Sequence, residues 1–102
     1  MSLLDGVSEL PLLAGNPSRY TEDGLLAFVK IYNPNGKERW YISAYNPYVT
    51  ASPCFGLQIL ADEVRSFGYF FLEELELYGG YDSSKKLQRD TNFTPRTLKE
   101  CL

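Results

Sequence analysis

Four segments in the middle of the chain carry the apolar spacing of strands, and the breaks between them are rich in Asn, Gly, Pro and acidic residues. Residues 25–33 place Leu25, Ala27, Val29 and Ile31 on one side and Leu26, Phe28, Lys30 and Tyr32 on the other. Both faces are largely apolar, which predicts an interior strand. Pro34, Asn35 and Gly36 then mark a tight reversal, because Asn and Gly accept positive φ. A second strand is predicted over residues 38–45, with Trp40, Ile42 and Ala44 opposite Arg39, Tyr41, Ser43 and Tyr45. A loop over residues 46–53 leads to a third strand at about 54–61, with Phe55, Leu57 and Ile59 on one face. Asp62 and Glu63 reverse the chain into a fourth strand at about 64–70.

The period changes from two to three near Leu72. Leu72, Leu75 and Tyr78 recur three apart with Glu73, Glu74 and Glu76 between them, which predicts a short helix stopped by Gly79 and Gly80. Two turns are too few to be stable alone, so the helix must lie against the sheet. After a polar loop over 81–86, residues 87–93 suit a short final strand. Thr94 and Pro95 read as N-cap and first residue of a small terminal helix with Leu98 facing inward. Residues 1–23, with leucines broken by Gly6, Pro11, Gly15 and Pro17, read as an irregular arm covering part of the core. The prediction is a single α+β domain over residues 1–102: a small antiparallel meander of about four to five strands, over 24–102, with short helices packed on it.

Charge adds an asymmetry to this picture. Residues 1–84 hold 11 acidic and 5 basic side chains, a net of −6, whereas residues 85–102 hold 5 basic and 2 acidic, a net of +3. Such segregation suits a solvated surface, a basic tail for an acidic partner, or an acidic body that imitates nucleic acid. The two cysteines, Cys54 and Cys101, make no disulfide framework, and Cys54 sits in an apolar run that predicts a core position. Asp5 and Glu9 interrupt the apolar residues of the N-terminus, and no apolar run approaches the ~18 residues of a membrane span. A cytoplasmic protein without membrane contact is expected.

Candidate chemistry is limited by the absence of histidine. Without it, Ser-His-Asp and Cys-His catalysis are excluded, and two isolated cysteines make no zinc site. No glycine-rich nucleotide cradle is present, so no cofactor is expected. Glu73, Glu74 and Glu76 crowd one helix, where acids favour the helix start and solvent. The better binding candidates are Tyr41, Tyr45 and Tyr48 with Lys30 and Arg39, since aromatic rings beside cations on an open sheet can stack bases and hold phosphates. The competing expectation is that these tyrosines pack under the N-terminal arm. Arg89 joins the candidate set from the final segment. Its neighbour Asp90 would point to the opposite face of a strand, which leaves one of the two free to anchor that segment to the core.

Several segments together resemble the bacterial family called domain of unknown function 2958. They run in order from Val29-Lys30-Ile31-Tyr32-Asn33-Pro34 with Gly36, through Trp40-Tyr41, Phe55-Gly56-Leu57 and Phe67-Gly68-Tyr69-Phe70, to Leu72-Glu73-Glu74-Leu75-Glu76. The series ends with Leu87-Gln88-Arg89-Asp90, Phe93, Pro95 and Leu98. The resemblance carries no activity, cofactor or catalytic residue; it implies a setting among accessory genes of plasmids, phages and integrated elements. The family pattern usually has Ser at the strand-to-helix junction, where this chain has Phe71, so a capping partner of Glu74 is missing. The function expected is a small non-enzymatic interaction protein with a protein partner. A nucleic-acid-binding module using the tyrosine face and basic C-terminal segment is the alternative, as is an acidic DNA mimic inhibiting a restriction or CRISPR nuclease. The sequence leaves the oligomeric state open.

Overall fold

Asn33, just before the predicted Pro34-Asn35-Gly36, sets the first reversal. Its N–H donates to the Glu38 carbonyl (3.0 Å) and its side-chain oxygen accepts the Asn35 N–H (2.9 Å), a local turn that needs no tertiary support. Neither Asn35 nor Gly36 takes the positive φ expected there, because the Gly36 N–H closes the turn on the Asn33 carbonyl (3.2 Å). This turn joins β2 (Val29–Tyr32) to β3 (Arg39–Tyr45) with Val29 opposite Ile42 and Ile31 opposite Trp40. The computed structural model describes residues 26–46, 48, 53–78 and 86–101. The predicted irregular arm, most of the 46–53 loop and residues 79–85 lie outside them. The helix that begins at Leu72 already ends at Glu76 with Leu77 as its C-cap, ahead of Tyr78 and the predicted Gly79-Gly80 stop.

Next to β3 lies β4 (Pro53–Ile59), and next to β4 lies β5 (Arg65–Phe71), each antiparallel to its neighbour. The two-residue strand β6 (Gln88–Arg89) pairs with the free side of β2, giving the sheet order β5-β4-β3-β2-β6. The meander is therefore as expected from the apolar spacing. Helical structure is scarcer than expected: α1 (Leu72–Glu76) and a 3-10 helix (Lys99–Cys101) are short additions to a mainly antiparallel β protein. Phe71 occupies the N-cap of α1 and makes no side-chain capping bond. α1 still packs, because Leu72 and Leu75 are buried.

The first predicted strand is interrupted at Phe28. Its N–H donates to the Ile42 carbonyl (2.9 Å), but β1 (Leu26–Ala27) leaves the main sheet and pairs instead with β7 (Arg96–Thr97). The break reverses the side-chain parity. Ala27 therefore packs with Tyr41, Leu57, Ile59 and Leu98, while Val29 and Ile31 pack with Trp40, Ile42, Cys54, Phe70, Leu72, Leu75 and Leu87. The sheet is thus a middle layer. One face carries α1, and the other carries the C-terminal segment through Phe93, Leu98 and Cys101.

A second irregularity lies in β3. The register with β4 shifts between Ile42 and Ala44, a bulge that inserts Ser43 and puts Ala44 with Phe55 rather than with Ile42. Gly56 sits opposite the bulge, where a Cβ would lie 2.0 Å from the Tyr41 carbonyl oxygen. Sequence alternation alone put Trp40, Ile42 and Ala44 on one face and Tyr41 and Tyr45 together on the other. The bulge overturns both groupings.

The C-terminal helix also starts later than Thr94. Arg96 and Thr97 are taken by pairing with β1, so the cap moves to Thr97. The Glu100 N–H donates to Thr97 Oγ1 (3.2 Å), and Glu100 Oε1 accepts the Thr97 N–H (3.0 Å) and hydroxyl (2.8 Å). That is a capping box, with its N-cap three residues beyond the predicted N-cap Thr94. The predicted strand at 87–93 shortens to two residues for a similar local reason. Asp90 Oδ1 accepts the Asn92 N–H (2.9 Å), and the Phe93 N–H donates to the Asp90 carbonyl (3.2 Å), which turns the chain away from the sheet.

Candidate binding cleft

The C-terminal segment does not lie flat on its face of the sheet. Between it and the strands β2 and β3 is a cleft of about 170 Å³ lined by Lys30, Tyr41, Asp90, Asn92, Phe93, Arg96, Glu100 and Cys101. Lys30 and Tyr41 are cross-strand partners, so their side chains emerge side by side on this face. The Asp90 turn brings Asn92 and Phe93 over them, and the β1–β7 pairing fixes Arg96 on the far wall.

Each cation in the cleft lies against a ring. Lys30 Nζ is 5.9 Å from the centroid of Tyr41, and the Arg96 guanidinium carbon is 5.1 Å from that of Phe93. The two rings are themselves 6.0 Å apart and tilted by 48°. At these distances the ring quadrupole contributes on the order of 0.5–1 kcal/mol per contact near the surface. The carboxylates are engaged elsewhere. Asp90 accepts from the Asn92 backbone, and Glu100 is held by Thr97. The Thr97 backbone and hydroxyl bonds hold the Glu100 carboxyl below its usual range, so it stays ionised in the cap. Among the described residues, neither Lys30 nor Arg96 has a carboxylate within 4.0 Å; the one such ion pair is Arg39 with Glu63, at 3.3 Å.

Burial works against ionisation of both the thiol and the phenol here. Burial pushes the Cys101 thiol up, against the opposing pull of Arg96 and Lys30, and the S–H donates to the Thr97 carbonyl (3.4 Å). Burial likewise raises the Tyr41 hydroxyl, and nearby Arg39 only partly offsets it. On the opposite face Cys54 is a core residue, as its apolar surroundings predict, with its thiol pushed up to about 12 by burial. Among the described residues no group of three or more Cys, Asp and Glu is placed to hold a metal ion, and no helix is long and apolar enough to cross a membrane.

The six residues singled out in the sequence are dispersed. Lys30 and Tyr41 meet in the cleft, with Tyr41 as its floor at 5% exposure. Arg39 is on the same face but turns to Glu63 and to the Lys37 carbonyl (2.9 Å). Tyr45 lies beyond the bulge and packs against the α1-side cluster, and Tyr48 stands in a loop at 85% exposure. Arg89 is half-buried opposite Ile31, on the α1 side, whereas Asp90 lines the cleft; the two do point apart. Asn92, Phe93, Arg96, Glu100 and Cys101 were not marked as site residues. Only the basic balance of the last eighteen positions hinted at Arg96.

The family described as "Protein of unknown function (DUF2958)" matches residues 12–99. The chain belongs to this family. The DUF2958 match takes in Lys30, Tyr41, Asp90, Asn92, Phe93 and Arg96, and it ends just before Glu100 and Cys101. No curated protein and no solved structure matches the chain.

Proposed function

We propose that this protein is a non-catalytic interaction module whose cleft holds an acidic group of a protein partner. The observation that carries the reading is the pair Lys30 and Arg96, two cations on opposite walls of one cleft without a carboxylate partner among the described residues. An acidic side chain or a C-terminal carboxylate entering between them would gain two charge-assisted contacts, with the Asn92 side chain alongside. The two free thiols suit a reducing cytosol, and the family resemblance implies a role accessory to mobile DNA.

A protein partner is favoured over nucleic acid by the state of the rings. Tyr41 and Phe93 already carry cations, Tyr41 is buried, and Tyr45 is on the other side of the sheet, so the cleft itself offers no open tyrosine ring for bases to stack on. Asp90 and Glu100 at the rim would also repel a continuous run of phosphates. A ¹H–¹⁵N NMR titration with a short, otherwise neutral peptide ending in a single glutamate tests the proposal. Saturable shifts should appear at Lys30, Asn92, Phe93 and Arg96, weaken with added salt, and be lost in Arg96→Gln. Shifts that do not saturate, or that survive Arg96→Gln unchanged, would refute it. The same titration with a single-stranded oligonucleotide separates the two partner classes. Tighter binding of the oligonucleotide at these residues would favour the nucleic-acid alternative.

A further inference from the structure

The two edges of the main sheet are unequal. On one side the sheet ends in the two-residue β6; on the other it ends in β5, seven residues long, paired along its whole length to β4 and to no other described strand. Arg65 to Phe71 contain neither Pro nor Lys, the residues that commonly keep an edge from pairing. Val64 and Tyr69 are more than half exposed and Phe71 is 39% exposed. Phe67 and Tyr69 straddle Phe55 edge-on, with ring centroids 5.1 and 5.0 Å away, so the aromatic row at this edge is held in place before any partner arrives.

We infer that β5 is the docking edge for a second copy of this chain, paired antiparallel about a two-fold axis at Gly68. The backbone alternation supports this register. The Leu60 N–H donates to the Val64 carbonyl (3.0 Å), which makes that pair a hydrogen-bonded one. Alternation along an antiparallel ladder then turns Ser66, Gly68 and Phe70 toward β4, and turns the N–H and C=O of Arg65, Phe67, Tyr69 and Phe71 outward.

A two-fold at Gly68 sets Phe67 opposite Tyr69 of the second copy, and both are outward-facing residues. Their backbone groups bond each other and their rings meet on one face of the joined sheet. It also sets Arg65 opposite Phe71 of the second copy, a cation against an exposed ring. Gly68 itself falls at the axis, in the non-hydrogen-bonded pair where the two strands' Cα atoms come closest. A one-residue slip would set outward groups against inward ones. The cleft stays open in such a dimer, because β3 and β4 separate β2 from β5.

Sedimentation velocity on the full chain, from low to high micromolar concentration, measures the association. Amide hydrogen exchange on the same samples reads its register. The expected result is a species of twice 11.6 kDa with the Phe67 and Tyr69 amides protected. In Tyr69→Lys, both the doubled mass and that protection should be lost while the melting temperature of the monomer is kept. A wild-type protein that stays monomeric overturns the inference, whether those amides exchange freely or are covered by another segment of the same chain. A dimer in which the Phe67 and Tyr69 amides exchange at loop rates overturns it too, since its interface lies elsewhere. Should Tyr69→Lys fail to fold, the wild-type mass and protection pattern still decide the question.

Discussion

Replacing Gly56 by Ala should destabilise the protein more than replacing its cross-strand partner Gly68, because glycine is required at the two positions for different reasons. A Cβ on Gly56 would lie 2.0 Å from the Tyr41 carbonyl oxygen, 3.1 Å from its carbon and 3.3 Å from the Ile42 Cα. These are backbone atoms of a central strand at the start of its bulge, so no side-chain rotation relieves the contact. The strands would have to part locally by roughly 1.5 Å to restore ordinary carbon contact at about 3.5 Å. We expect a loss of about 3 kcal/mol or more, at the upper end for overpacking.

Gly68 has a φ of 151° but open space where its Cβ would go. The cost of Gly68→Ala is then backbone strain alone, about 1–2 kcal/mol. In a domain of this size these losses correspond to melting-temperature drops of roughly 12–24 °C and 4–16 °C respectively. Thermal unfolding followed by far-UV circular dichroism, at one low protein concentration for both variants, gives the comparison. If Gly56→Ala melts no lower than Gly68→Ala, the close approach of β3 and β4 is not what demands glycine at position 56.

Phe71→Ser should lie within about 1 kcal/mol of wild type, since truncating a ring that is 39% exposed costs roughly 1–2 kcal/mol and a serine N-cap with Glu74 returns about 1. In urea melts Phe71→Ala should be the weaker of the two by about the value of the cap. Equal stability of the Ser and Ala variants would mean that no cap forms. Glu38 accepts hydrogen bonds from the Asn33 amide and from the Tyr78 hydroxyl (3.0 Å), and the Asn33 bond is the main cause holding its carboxyl below the ordinary 4.5. A lowered folded value means that this stabilisation is present above pH 4.5 and fades as pH falls through the folded value. Glu38→Gln should remove that part of the acid transition, by no more than about 0.5 kcal/mol for so exposed a group, and an unchanged pH profile of stability would contradict it. Under native conditions iodoacetamide should label Cys101 slowly and Cys54 only on unfolding, because Cys54 is fully buried with a thiol near 12 and Cys101 is half-buried. Mass spectrometry that finds Cys54 labelled first would show that the core opens more readily than its packing suggests.

Local chemistry explains which features could be read from the chain alone. The strands, the place of the first reversal and the start of α1 follow from side-chain spacing and from local turn chemistry, so they are present in the sequence as patterns. The turn itself is closed by Asn33 and not by positive φ at Asn35 and Gly36. Cys54 belonged to the core on the same grounds. The faces on which side chains emerge were less secure, because one inserted residue reverses them. The bulge at Ser43 lies where β3 passes close against Gly56, a residue of another strand, and no pattern within 38–45 marks it. That single step separated Tyr41 from Tyr45 and removed the expected tyrosine face. The break at Phe28 has the same origin, since β1 takes its partner from β7, some seventy residues later.

The candidate site shows the division most plainly. Sequence alone determined that Lys30 and Tyr41 share a strand-pair face, through the hairpin that aligns them. Only the tertiary structure placed Asn92, Phe93 and Arg96 above them, because that depends on where the C-terminal segment crosses the sheet. The crossing is decided by long-range pairing of β6 with β2 and of β7 with β1. Periodicity records what a residue's near neighbours require of it, and those pairings are made by residues that are distant in the chain.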